Sequence, residues 1–142
     1  MVHKTVTSID KVNKNVVLND ASSVSYDYLV LALGIGFEQI TGQDYTKVPH
    51  AWVAGEQTTL LKNQIDTIVD GEDFIMNIPA TPYRCPPGPY ERACVVSDYL
   101  KNVKGFQNST VHVLDANSDI IVEKDSFGGV MTANGVNYQT SC

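Results

Sequence analysis

Between residues 73 and 116 the chain reads strand, loop, helix, strand, and this run limits the fold more than any other feature. "DFIMNIPA" (73–80) is apolar and short enough for a strand buried in a sheet. A helix is expected from Pro89 to about Lys104, because Ala93, Val96, Leu100 and Val103 recur at spacings of three and four and Gly105 follows as a terminator. "TVHVLDA" (110–116) reads as the next strand. Two strands joined through a helix make a βαβ unit with parallel strands and a right-handed crossover. Ligands of such sheets bind beyond the carboxyl ends of the strands, and here that position is taken by the loop after Ala80.

The flanks are of two kinds. Ahead of residue 55, "KTVTSID", "NVVLN" and "YDYLVLALG" are short β-rich runs separated by the turn-forming "KVNK" and "NDASS". They predict an antiparallel meander whose last strand, Tyr28 to Leu33, is buried on both faces and ends at Gly34 and Gly36. From Gly55 a helix is expected over about Glu56 to Val69, with Leu61, Ile65 and Ile68 on one face and Gly71 as its stop. The tail from Ser118 reads as two or three short strands, with a turn at Gly128 and Gly129 and another at "ANGV". The expected fold is therefore α/β: a small antiparallel β-meander (1–54), then a Rossmann-like βαβ unit with parallel strands and a short β-rich tail (55–142).

Composition narrows the function. With 142 residues, 43% of them hydrophobic, the chain can bury one ordinary core. A formal charge of −6 argues against nucleic acid or anionic lipid as the main partner. No run of about 18 apolar residues is present to span a bilayer, and "MVHKTVTSID" lacks the apolar core of a secretory signal. The chain as given reads as soluble. Three cysteines at 85, 94 and 142 do not make a disulfide framework. His3, His50 and His112 lie too far apart in the chain to suggest a zinc site with them, so no metal is expected.

The loop "TPYRCPPGPYERAC" (81–94) carries the chemistry. A dinucleotide-binding βαβ unit has a glycine-rich turn here, because backbone N–H groups must approach a pyrophosphate at the helix N-terminus. Pro82, Pro86, Pro87 and Pro89 have no N–H, and their rings fill the space a phosphate needs. The unit thus has the dinucleotide-binding shape without its chemistry, and NAD is not expected. Pro89 and Glu91 suit the first helical turn. Cys85 lies just upstream, next to Arg84; a helix N-terminus and a guanidinium both favour thiolate. A reactive thiol and a buried structural cysteine are both open readings at this point. Cys94, inside the helix, reads as a core or boundary residue, Trp52 and Tyr90 as packing residues, and Asp115 as a cap or turn residue.

Residues 50–101, and above all "RCPPGPYE", closely resemble the central part of the flavoprotein subunit of flavocytochrome c sulfide dehydrogenase, which belongs with the sulfide:quinone oxidoreductases among the FAD-dependent pyridine nucleotide-disulfide oxidoreductases. "YDYLVLALGIGF" is similar to the strand and turn by which these proteins pass the flavin. The resemblance implies that Cys85 is half of a redox-active disulfide beside FAD, taking up sulfide sulfur as electrons pass to the flavin, and that Glu91 is an acid near that site. It places Leu33, Gly34 and Pro86 on the flavin side. It also implies sulfide as substrate, a cytochrome c subunit or quinone as acceptor, and a periplasmic location. A complete member opens with a G-x-G-x-x-G turn and carries a second redox cysteine, neither of which stands in this sequence. The expectation is a middle piece that alone neither binds FAD tightly nor oxidises sulfide. The alternative is a non-catalytic domain with a structural or interaction role, able to form a homodimer.

Overall fold

The computed structural model describes residues 1–142, which divide into two compact units, Met1–Gln43 and Asp44–Cys142. In the first unit, β1 (Val6–Asp10), β2 (Asn15–Leu18) and β3 (Ser23–Ser25) form an antiparallel sheet in that order. The β1–β2 turn falls on "KVNK" as expected: the Asp10 carboxylate accepts from the N–H groups of Val12 (3.0 Å) and Asn13 (2.9 Å), and Lys14 takes a left-handed φ of 52°. Val16 and Leu18, two residues apart on β2, share one face and are the buried side chains of this unit.

The third strand differs from expectation. Tyr28 to Leu33 forms no strand, and the ladder closes earlier, at β3. Tyr28 is 94%, Val30 86% and Leu33 90% exposed. An apolar run becomes a doubly buried strand only where neighbours pair with its backbone and cover both faces, and no strand of this unit pairs with it.

The second unit contains α1 (Glu56–Thr67), β4 (Phe74–Ile78), α2 (Gly88–Asp98), β5 (Val111–Asp115), α3 (Lys124–Asn134) and β6 (Asn137–Thr140). Its sheet runs β4-β5-β6, all parallel, with Phe74 opposite Val111 and His112 opposite Asn137. The βαβ unit is thus present with both strands where the apolar runs placed them. The core gathers Ile78 from β4, Val111 and Val113 from β5, Tyr90, Ala93, Val96 and Leu100 from α2 and its extension, and Ile120 and Met131 from the tail. No helix is long and apolar enough to cross a membrane.

Two local features depart from the periodic reading. After Asp98 the helix continues as a π-helical turn, Tyr99–Val103, closed by Lys104 N–H to Tyr99 C=O at 2.9 Å. The wider turn shifts the phase of the apolar stripe, so Leu100 stays in the core and Val103 is left 68% exposed. In the tail, Gly128 and Gly129 lie inside α3 rather than in a turn, so the tail is a helix and one strand rather than a set of strands. Phe127 and Met131, four residues apart, turn to the core and secure the helix against its two glycines. The turn at "ANGV" is present, with Gly135 as a left-handed C-cap at φ 74°.

Candidate functional site

The sulfur loop is rooted in the sheet. Asn117, just beyond β5, accepts from Thr81 N–H (3.0 Å) through its side-chain oxygen and donates through its side-chain nitrogen to Pro79 C=O (3.1 Å) and Asp115 (2.7 Å). Asp115 is fully buried. It accepts from the hydroxyls of Tyr90 and Tyr138, both at 2.8 Å, and from Asn117 N–H at 2.9 Å. That last bond is the turn role expected of a strand-ending aspartate. Burial, then the bond to Asp115, pushes both tyrosine hydroxyls above the usual tyrosine range. Tyr90 is therefore a packing residue with a satisfied polar tip. The Tyr83 hydroxyl is buried without a well-formed hydrogen bond, and burial raises it too.

From this root the chain runs out to Cys85, which is exposed and holds a left-handed φ of 59°. A positive φ in a residue other than glycine is costly and persists only where the surroundings enforce it. Prolines 86 and 87 follow, and the Gly88 N–H donates to Cys85 C=O at 3.0 Å. Pro87 is the N-cap of α2 and Pro89 lies in its first turn, as does Glu91. The first N–H of the helix is thus turned back onto the cysteine loop, and Pro89 offers none.

A second segment covers this helix start. The Arg92 side chain donates to His50 C=O (2.6 Å) and Ala51 C=O (2.7 Å), while its guanidinium lies 3.6 Å from the centroid of the Trp52 ring. Burial works against the Arg92 charge, and the two carbonyls and the indole face offset that cost. The Trp52 ring edge reaches Gly88: a Cβ there would stand 3.2 Å from two ring carbons and 3.5 Å from Cys85 Sγ. Gln57 ties the segment down, accepting from His50 N–H (3.0 Å) and donating to Tyr45 C=O (2.9 Å). Burial first, and Arg92 second, draw His50 below the ordinary histidine value.

The remaining expected residues separate. Pro86 is adjacent to Cys85 and exposed. Glu91 is exposed; no hydrogen bond joins it to Cys85, and its charge acts on Cys94. Cys94 is half-buried against the core, and burial, then Glu91, pushes its thiol up. All three cysteines are free. Leu33 and Gly34 belong to the first unit, the one exposed and the other at φ 76° with open space around it. Arg92, Asn117 and His50 were not singled out by sequence reasoning as site residues. Arg92 meets its carbonyl partners across about forty residues of chain, and nothing local in "YERAC" signals that reach.

A parallel sheet with a proline-rich, cysteine-bearing loop between β4 and α2 defines an α/β unit in which a cysteine stands where a dinucleotide-binding unit has its phosphate cradle. The chain belongs to the family described as "Sulfide dehydrogenase [flavocytochrome c] flavoprotein chain, central", whose sequence pattern matches residues 58–138. Among solved structures it is similar to the sulfide:quinone oxidoreductase of the hyperthermophilic bacterium Aquifex aeolicus, with 18% identity, a TM-score of 0.59, and coverage of 99% of this chain and 34% of that one. It is also similar to the ferredoxin reductase for the CYP199A2 system of Rhodopseudomonas palustris, with 14% identity, a TM-score of 0.53, and coverage of 99% and 32%. A chain in the Tetrahymena thermophila mitochondrial ATP synthase matches at 19% identity and a TM-score of 0.54, over 99% of this chain and 38% of that one. The chain spans about a third of the length of these proteins, and at such identity the likeness is one of fold.

Proposed function

We propose that this chain is the central portion of an FAD-dependent oxidoreductase of the sulfide dehydrogenase type, with Cys85 as its redox-active sulfur. The observation that carries the reading is the match over residues 58–138, which includes Cys85 in the proline-stiffened loop at the end of β4. In this reading residues 1–54 are the end of the FAD-binding part and residues 55–142 an incomplete NAD-binding-type domain.

FAD, when bound, would supply the electron acceptor. Leu33 and Gly34 suit such a group chemically, as an exposed apolar side chain and a bare backbone open to a flat ring, and Pro86 would stand on the flavin side next to the thiol. Cys85 would hold the substrate sulfur, fixed by prolines that restrict the loop at little entropic cost. Glu91 would act as an acid near it. The engaged Gly88 N–H and the missing one at Pro89 support a helix start that takes a thiol rather than the pyrophosphate of NAD. The same family reading gives sulfide or another small sulfur compound as substrate, a cytochrome c subunit or quinone as acceptor, and the periplasm as location.

The test uses the complete flavoprotein and this chain side by side, with sulfide added to FAD-loaded samples while the visible flavin spectrum is followed. Bleaching by the complete protein, its loss in Cys85→Ser, and no tight FAD binding by the 142-residue chain are expected. Undiminished bleaching in Cys85→Ser would overturn the assignment. A second reading, a non-catalytic interaction domain able to pair with another copy, is favoured by the exposed apolar run from Tyr28 to Leu33. Under that reading Cys85 and Cys142, both exposed, alkylate equally slowly at neutral pH.

A further inference from the structure

We propose that Trp52 is a positioning residue for Cys85: clamped by Arg92 onto Gly88, the indole holds the sulfur loop in place and closes one side of it, so that Cys85 admits small inorganic sulfur species in preference to bulkier thiols and disulfides. The proposal rests on the reading of Cys85 as the reacting sulfur.

Three observations converge on it. Cys85 keeps a left-handed backbone that a cysteine does not adopt unaided, and the bond that closes its turn comes from Gly88. Gly88 is the residue on which the Trp52 ring rests; the ring edge and Cys85 Sγ flank the same point, at 3.2 and 3.5 Å. The indole is itself held on its face by Arg92, whose guanidinium is fixed by two backbone carbonyls. At 43% exposure Trp52 is not a core side chain; the cation on its face and the glycine at its edge determine its place. A Cβ at 88 would press the ring back by a few tenths of an ångström while meeting the sulfur at ordinary contact distance. The wall is therefore built from residues 52, 88 and 92 together, and a bulky reagent meets the indole on the helix side of the sulfur while a small one does not.

The test measures alkylation of the three free cysteines by iodoacetamide and by its bulky fluorescein derivative, each site followed by peptide mass spectrometry. In Trp52→Ala the bulky-to-small rate ratio at Cys85 is expected to rise roughly tenfold, equivalent to about 1.4 kcal/mol of lost exclusion. Trp52→Phe, which keeps a ring over Gly88, should restore most of the original ratio. Arg92→Lys keeps a cation, loses the two-pronged hold, and should move the ratio in the same direction as Trp52→Ala, with the ring still in the chain. Cys142 is the internal control, and its ratio should stay constant. An unchanged ratio at Cys85 in both Trp52→Ala and Arg92→Lys overturns the proposal, as does a rise shared equally by Cys142. Alkylation needs no flavin, so failure here leaves the redox reading of Cys85 intact, and failure of the flavin experiment leaves this result readable.

Discussion

His50 accepts the backbone N–H of Trp52 through Nδ1 at 3.2 Å, a bond that requires this nitrogen to be unprotonated. Burial and the neighbouring Arg92 lower its proton affinity. A histidine depressed in the folded state contributes stability that is fully present above the unfolded value of about 6.5 and is lost as the pH falls through the lower folded value. Acidification should therefore loosen the 50–52 segment before the core responds. Trp52 is the only tryptophan in the chain, so its fluorescence reports the event directly. The emission change should titrate with a midpoint below 6.5, and His50→Gln should abolish that step. A midpoint above the ordinary histidine value would show that protonation favours the folded loop, contrary to this account.

At the scale of elements, α1 ends without a basic residue of its own in its last turn. The cation comes instead from Lys104, just past the π-helical turn, whose ammonium donates to the carbonyls of Ile65 (2.7 Å), Asp66 (2.9 Å) and Ile68 (3.0 Å). These are the carbonyls a helix C-terminus leaves unpaired, and the cation also meets the negative end of the helix dipole. Lys104→Met should cost about 1 kcal/mol, read as a lowered urea midpoint with an unchanged slope. Hydrogen exchange should quicken in the last turn of α1 ahead of the sheet. The π-helical turn is what brings position 104 to this place, and the helical period of the sequence carries no sign of it. Gly128 and Gly129 make the converse case: local propensity points to a turn, and the packing of Phe127 and Met131 decides for helix.

For the second unit as a whole, Asp115 is the joint between layers. It links α2 through Tyr90, β6 through Tyr138 and the root of the sulfur loop through Asn117. Asp115→Ala would leave buried donors from all three without a partner, a cost on the order of 3 kcal/mol or more, or a fall of roughly 10 °C in melting temperature. Thermal unfolding of the variant, with the exposed Cys85 as a probe of loop order, checks both parts. A loss under 1 kcal/mol would mean that water or rearrangement satisfies those groups.

Much of this architecture was legible in the residues. The apolar runs at 74–78 and 111–115, the three-and-four spacing from Ala93 to Leu100, and Gly105 at the end of its helix act over a few positions, and local chain physics is enough to read them. The cysteine loop was legible for the same reason, since proline acts on its own backbone. The sequence by itself therefore determined the parallel βαβ unit and the stiff thiol-bearing loop that enters its helix. Only the tertiary structure decided that Tyr28 to Leu33 stays unpaired, that α3 forms across two glycines, and that Arg92 lays Trp52 on Gly88 beside the sulfur. Each depends on partners tens of residues away or on the absence of any, and a pairing energy between distant residues leaves no periodic trace in either of them.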